Sequence, residues 1–127
     1  MAGELILIVE DNEKNLKLVR DVLQHRGYQT IDAGTGEDGV RLAKERHPNL
    51  VLMDIQLPGI DGITALGQLR ADPATRAIPV IAVTASAMTH DRKKIMAAGF
   101  DGYQSKPIKV KDFLEAVREM LDRPAGT

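Results

Sequence analysis

The chain has 127 residues, of which 43% are hydrophobic and 28% are charged, a composition typical of one soluble globular domain and not of a disordered chain. Its formal net charge of −1 creates no overall positive potential that would attract nucleic acid or an anionic membrane. The chain contains no cysteine, which excludes disulfides and thiolate metal sites and is compatible with a reducing cytoplasm. The apolar N-terminal run is too short to cross a bilayer. We therefore expect a cytoplasmic protein.

Five short apolar runs have the length of β-strands. Two of them, Leu5–Val9 and Pro79–Val83, are almost continuous in Leu, Ile and Val, which is typical of strands covered on both faces in a parallel sheet. The other three predicted strands are Tyr28–Ala33, Leu50–Met53 and Phe100–Gln104.

Helical periodicity fills the segments between these strands. Asn12 is placed to cap the first helix and Thr35 the second, while Gly27 and Gly99 are placed to end the first and the fourth. Asp72-Pro73 ends the third. The fifth helix has the strongest amphipathic stripe, formed by Val110, Phe113, Leu114, Val117, Met120 and Leu121.

The order of elements is strand then helix, repeated five times, which predicts a doubly wound α/β sandwich around a parallel sheet. The sequence shows no internal repeat, linker or low-complexity stretch. We expect one domain over residues 1–123 and a short tail at 124–127, with no effector domain.

Reactive side chains gather at the carboxyl ends of the predicted strands, where open parallel sheets bind their ligands. Glu10 and Asp11 stand at the end of the first strand, Asp54 at the end of the third, Thr84 at the end of the fourth and Lys106 at the end of the fifth. The sequence therefore predicts three carboxylates, a hydroxyl and an ammonium group at one edge of the sheet.

Three neighbouring carboxylates repel one another unless a cation lies between them. Oxygen ligands without His or Cys favour Mg²⁺ over zinc. The simpler alternative is that Glu10 and Asp11 only stabilise the start of the next helix, where acids are favourable. That alternative explains one acid well, but not two acids together with Asp54.

Asp54 can act as a nucleophile towards phosphorus and form an acyl phosphate, with Mg²⁺ and Lys106 neutralising the charge of the transferred group. Thr84 has two interpretations that do not exclude each other: its hydroxyl could bond a phosphoryl oxygen, or it could cap the fourth helix. Pro107 restrains the backbone after Lys106, where a cis peptide bond can form. Asp61 is better explained as a loop or helix-cap residue.

Glu10-Asp11, Asp54, Thr84 and Lys106-Pro107, taken in this order and spacing, resemble the receiver domain of two-component response regulators. The resemblance covers essentially the whole chain. It implies a flavodoxin-like (CheY-like) three-layer sandwich, in which five parallel strands in the order 2-1-3-4-5 are surrounded by five helices.

The resemblance also implies how the site works. Asp54 corresponds to the phosphoacceptor, and Glu10 and Asp11 to the acidic pair that holds Mg²⁺ together with the backbone carbonyl of Gln56. Lys106 corresponds to the ion-pair partner of the phosphoryl group. Glu10 departs from the commonest receiver pattern, which has aspartate first. The longer side chain can ligate the metal through water.

A second set of residues corresponds to the conformational switch of receivers. Thr84 matches the hydroxyl that moves to the phosphoryl group, and Tyr103 matches the aromatic that turns inward with it, with Pro107 next to the site. Without the resemblance, Tyr103 is an ordinary strand aromatic. The surface expected to change lies on the fourth helix, the fifth strand and the fifth helix, with Ala85, Ala87, Met88 and Tyr103 as candidate contacts.

The phrases MDIQLPGIDG, PVIAVTASAM and YQSKPI are similar to those of short, free-standing receivers of the cell-division and cell-polarity type, DivK-like proteins. This implies that a histidine kinase or histidine phosphotransfer protein donates the phosphoryl group, and that a downstream protein reads it. The implied molecule is a monomer or weak dimer that has no turnover substrate. The alternative is a receiver from a hybrid kinase or a larger regulator.

Two functions of other classes remain open. A phosphatase of the haloacid-dehalogenase type also uses a strand-end Asp, but it usually has a second acid two residues later, where this chain has Gln56. A flavodoxin-like cofactor binder needs a phosphate-binding loop after the first strand, and here that loop is acidic. The basic cluster Arg92, Lys93 and Lys94 is interpreted as a solvated helix face.

Overall fold

The computed structural model describes residues 3–85 and 89–123. Its centre is a sheet in which each pair of neighbouring strands is parallel. The strand order is β2-β1-β3-β4-β5, as predicted. The strands are β1 (Leu5–Val9), β2 (Gln29–Ala33), β3 (Leu50–Asp54), β4 (Val80–Thr84) and β5 (Gly102–Ser105).

Five helices cover the two faces of the sheet and complete the three-layer sandwich. Val19 of the first helix and Phe113 of the fifth are buried in one hydrophobic cluster. Val40, Leu66 and Ile95, from the second, third and fourth helices, are buried in the other. The helices are α1 (Glu13–His25), α2 (Gly36–Arg46), α3 (Gly62–Ala71), α4 (Thr89–Ala97) and α5 (Val110–Asp122).

Side-chain caps fix the start of three helices at the edge where the strands end. Asn12 accepts a hydrogen bond from the amide of Asn15 at 3.1 Å, and Thr35 accepts one from the amide of Asp38 at 3.1 Å. These contacts confirm both predicted caps. Asp61 caps α3 by accepting a hydrogen bond from the Thr64 amide at 2.8 Å, so its interpretation as a helix cap is also confirmed.

Several strand boundaries differ from the predicted runs, and two of the differences have a clear physical reason. Tyr28 is outside β2 because its amide donates to the carbonyl of Leu23 at the end of α1. Pro79 has no amide to donate, and β4 begins after it. Asp54 ends β3, as predicted, and pairs with Val83, while β5 covers Gly102–Ser105 in place of the predicted Phe100–Gln104.

The surface predictions have mixed outcomes. Arg92, Lys93 and Lys94 are exposed on α4, as expected for a solvated face. Ala87 and Met88, two of the candidate contacts, lie outside the described residues.

Among the helices of residues 3–85 and 89–123, none has an apolar stretch long enough to span a bilayer.

The Asp61 cap gives a first test. Asp61→Ala should lower the free energy of unfolding by about 1 kcal/mol, because the Thr64 amide loses its acceptor, whereas Asp61→Asn keeps an acceptor and should cost less. Hydrogen bonds from the amide and then the side chain of Thr64 lower the pKa of Asp61 below its usual value. This contribution should therefore be complete above the ordinary aspartate pKa and disappear as the pH falls through the lowered one. Urea unfolding across that range measures both effects, and equal stability of the parent and Asp61→Ala would contradict the assignment.

Candidate functional site

An open cleft of about 700 Å³ lies at the carboxyl edge of the sheet. Its walls come from the residues that follow β1, β3, β4 and β5, from the last residue of β3 and from the first turn of α1. The lining residues are Glu10, Asp11, Asn12, Asn15, Asp54, Ile55, Gln56, Leu57, Asp61, Ala85 and Lys106. The predicted acids and the lysine are therefore brought together at one place.

Asp54 is the central carboxylate of the cleft. Only 5% of its surface is exposed. One oxygen, Oδ2, accepts a hydrogen bond from Lys106 Nζ at 2.9 Å, and the other, Oδ1, accepts from the Gln56 amide at 3.1 Å. The first residue of α3, Gly62, lies so close behind that a Cβ there would collide with the main-chain carbonyl of Asp54. Both the carboxylate and its backbone are thus held in position.

Glu10 is the second buried acid, with 5% of its surface exposed. Its Oε1 accepts from Lys106 Nζ at 2.8 Å, and its Oε2 accepts from the Asn12 amide at 3.1 Å. Burial raises the pKa of Glu10 and outweighs the opposite effect of the hydrogen bonds from Lys106 and Asn12. Its carboxyl group is therefore easier to protonate than that of an exposed glutamate.

Lys106 joins the two acids. Burial alone would lower the pKa of Lys106, but its hydrogen bonds to Asp54 and Glu10 outweigh burial and raise that pKa above the usual value. The ammonium group therefore stays charged at neutral pH. The main-chain amide of Lys106 donates to the Thr84 carbonyl at 2.8 Å, which fixes Lys106 beside the end of β4. The Lys106–Pro107 peptide bond is cis.

The donor set fits a hard divalent cation. One oxygen from each of Glu10, Asp11 and Asp54 can be chosen so that all three lie within 4.8 Å of one another. Asp11 is exposed, while the other two are buried. Carboxylates grouped in this way, beside a solvent-filled cleft, suit Mg²⁺, which keeps several of its own waters.

The predicted switch residues lie beside the cleft and not among its lining residues. Thr84 is the last residue of β4, with 2% of its surface exposed. Tyr103 is half-buried in β5 and packs against the hydrophobic cluster behind β4. The guanidinium of Arg92 lies 5.4 Å from the centre of its ring.

Sequence reasoning did not assign Asn12, Asn15 and Leu57 to the cleft. Asn12 was predicted only as a helix cap, although its amide also binds Glu10. Asn15 and Leu57 are found in the loop or helix that follows a strand ending at the site. Proximity to such a strand end was the available signal, but it does not tell which of several neighbouring residues faces the cleft.

The Lys106 bridge gives a second test. Lys106→Met should destabilise the metal-free protein by about 3 kcal/mol, because it leaves two buried carboxyl groups next to each other without a cation. Lys44→Met is the matched control, since Lys44 reaches Asp72 only at 3.6 Å on the surface and should cost less than about 1 kcal/mol. Urea unfolding compares the two variants. Equal losses would show that the buried bridge has no special importance.

Comparison with known proteins places this geometry in a family. The model of the response regulator receiver domain matches residues 6–118. The polar-differentiation response regulator DivK of Brucella ovis is 47% identical over 116 residues, which cover 91% of this chain and 94% of that protein. DivK of Brucella anthropi is similar to the same extent.

Solved structures agree with the sequence comparison. The receiver domain of the sensor histidine kinase PA1611 from Pseudomonas aeruginosa, which holds a magnesium ion in its active site cleft, is 34% identical with a TM-score of 0.89, over 96% of this chain and 100% of that one. A CheY-like receiver domain protein from Methanospirillum hungatei is 31% identical with a TM-score of 0.84, over 95% of each chain. The chain belongs to the response regulator receiver family.

Proposed function

We propose that the protein is a phosphorylation-controlled switch of a two-component phosphorelay, with Asp54 as the phosphoacceptor. One observation carries this proposal: the Asp54 carboxylate borders an open cleft, with Lys106 Nζ at 2.9 Å and two further acids beside it. The donor would be a histidine kinase or a histidine phosphotransfer protein. The reader would be a downstream protein.

The transfer needs only a nucleophile and a well-placed charge. An Asp54 oxygen attacks the phosphorus atom of the donor, and a new O–P bond forms. The bond from phosphorus to the donor's imidazole nitrogen breaks, and its electron pair leaves with the imidazole, which takes a proton from solvent. Lys106 Nζ lies 2.9 Å from Asp54 Oδ2, which is close enough for it to bind an oxygen of the transferred phosphoryl group. The hydrogen bond from the Gln56 amide orients the carboxylate.

We assign the metal site to Glu10, Asp11 and Asp54, with the main-chain carbonyl of Gln56 as a further ligand. Mg²⁺ bound there would offset the negative charge of the phosphoryl oxygens. Glu10 already bonds Lys106 and the Asn12 amide, an arrangement that favours contact between Glu10 and the metal through water. Asp11 is exposed and free to turn towards the ion.

Phosphorylation would change the contacts of Lys106 and Thr84. The added charge gives Lys106 a stronger partner than Asp54 alone, and the Thr84 hydroxyl is close to the same edge. Movement of Thr84 would open space for Tyr103, which now lies under Arg92. Pro107 follows Lys106 directly and would transmit the change to the start of α5. The face formed by α4, β5 and α5 would then alter its affinity for a protein partner.

We assign the receiver unit to residues 1–123 and propose that it acts in the cytoplasm as a monomer or weak dimer. The similarity to DivK supports a role in cell division or polarity. A second candidate is a receiver that acts with a hybrid kinase, since the similar domain of PA1611 belongs to a sensor histidine kinase. Catalytic phosphatase turnover is disfavoured by Gln56, because an amide cannot serve as the general acid.

Labelling tests the nucleophile. With Mg²⁺ and acetyl phosphate or phosphoramidate, the parent protein should gain a single phosphoryl group, measured by intact-mass spectrometry. Asp54→Asn should gain none, because an amide oxygen is a poor nucleophile. Asp61→Asn, which changes another acid of the same cleft, should be labelled like the parent. Equal labelling of Asp54→Asn and the parent would show that Asp54 is not the phosphoacceptor.

Metal binding should also appear as added stability. At a free Mg²⁺ concentration of one hundred times its dissociation constant, the folded state should gain about 2.7 kcal/mol. Asp11→Ala should lose most of this gain, because it removes an acid of the site. Thermal unfolding in Mg²⁺ and in NaCl of the same ionic strength separates binding from screening. A gain that is equal in both salts would exclude a specific site.

A further inference from the structure

The loop from Ile55 to Asp61, between β3 and α3, forms one wall of the cleft and carries Gln56. Its base is fixed by local hydrogen bonds. The Gly62 amide donates to the Ile55 carbonyl at 3.0 Å, and the Gln56 amide donates to Asp54 Oδ1 at 3.1 Å. These contacts close the loop next to the sheet, but they leave its tip, residues 57–60, to be held by other means.

The tip is held by a residue from α2. The amide of Ile60 donates to the carboxylate of Glu37, with distances of 3.4 Å to Oε1 and 3.3 Å to Oε2. Within residues 3–85 and 89–123, this is the one hydrogen bond recorded between the tip and another element. Glu37 is in the first turn of α2, and that turn is itself fixed by the Thr35 cap.

Two glycines show how closely the loop and α2 meet. Gly59 has a φ of +77°, and a Cβ there would collide with the Glu37 carboxylate. A Cβ on Gly36 would lie 2.6 Å from both the main-chain oxygen and Cγ1 of Ile60. Ile60 packs against the hydrophobic cluster on that side of the sheet. The Glu37 carboxylate therefore lies directly against the backbone of the loop tip, and little space remains between the tip and the start of α2.

We propose that Glu37 is a positioning residue for the metal site: by clamping the tip of the loop, it holds the Gln56 carbonyl in the orientation that a divalent cation requires. This inference rests on the proposed function, since it assumes the metal site assigned above. Groups that orient a metal ligand from outside the coordination shell commonly change metal affinity, and Glu37 would act on Gln56 indirectly, through the loop tip that begins at the next residue. The tightness of Mg²⁺ binding thus depends on a residue that lies outside the lining of the cleft.

A simpler role for Glu37 is that of an acid stabilising the start of α2. Asp38, the next residue, shares that role and carries the same charge. Its carboxylate lies 3.5 Å from Arg41 on the helix surface and makes no recorded contact with the loop tip. Asp38→Ala is therefore the matched control for Glu37→Ala. Glu37→Gln removes the charge but keeps an oxygen that can accept from the Ile60 amide.

Calorimetric titration with Mg²⁺ measures the effect on the site. Glu37→Ala should weaken binding severalfold, while its thermal stability stays close to that of Asp38→Ala. Glu37→Gln should retain most of the parent affinity. Asp38→Ala should bind like the parent, because the loss of an exposed charge is largely screened by salt. Parent-like binding by Glu37→Ala would overturn the inference, and so would equal weakening by Asp38→Ala.

Amide hydrogen exchange, followed by NMR without metal, measures the clamp itself. The Ile60 amide should exchange faster in Glu37→Ala than in the parent and stay protected in Glu37→Gln and Asp38→Ala. Unchanged protection in Glu37→Ala would overturn the clamp even if Asp54 accepts phosphate. A parent protein that shows the clamp but neither binds Mg²⁺ nor becomes labelled would overturn the proposed function instead. The two failures are therefore distinguishable.

Discussion

The site depends on the two ion pairs that the ammonium group of Lys106 makes with buried carboxylates. This group meets Glu10 at 2.8 Å and Asp54 at 2.9 Å, and so joins side chains that follow or end three different strands. Two carboxylates that are each 5% exposed have lost most of their hydration, and without this cation their repulsion would not be offset. The lysine also belongs to the segment after β5, so the outermost strand is tied electrostatically to the centre of the sheet.

Close approach of helices to strands supports this arrangement. A Cβ on Gly39 of α2 would lie 2.8 Å from Val9, the residue that precedes Glu10. Gly62 of α3 touches the backbone of Asp54 in the same way. At both places the absence of a side chain lets a helix press against the end of a strand that carries a site acid. The positions of the acids are thus determined by packing as well as by charge.

Much of this could be predicted from the sequence because the signals are local. Continuous apolar runs identified the strands, Asn12 and Thr35 identified helix starts, and the rule for parallel sheets collected the polar residues at one edge. Strand ends were less certain, since the loss of Tyr28 from β2 depends on a hydrogen bond to the preceding helix. The contact between Glu37 and Ile60 left no sequence signal, because it joins residues 23 positions apart through tertiary packing.

The double role of Lys106 shows the same limit. The sequence assigned it to the phosphoryl group and Glu10 to the metal, but it gave no reason to pair them with each other. Their ion pair follows from the lengths and directions of two side chains that leave the ends of β1 and β5, which are separated in the sheet by β3 and β4. Such directions are fixed only when β1 and β5 occupy their places in the sheet.

The burial of β3 has a consequence for how a signal would leave the protein under the proposed function. All five residues of this strand are buried, and it is paired with β1 on one side and β4 on the other. The backbone of Asp54 therefore belongs to a strand that is held by packing along its whole length and by hydrogen bonds to a strand on each side. Under the proposed function, a structural response to phosphorylation at its carboxylate would be taken up more easily at the edges of the sheet, and β5 is one of the two edge strands, paired only with β4. The proposed reaction centre thus lies on a fully buried inner strand, whereas the proposed recognition face includes a strand at the edge of the sheet.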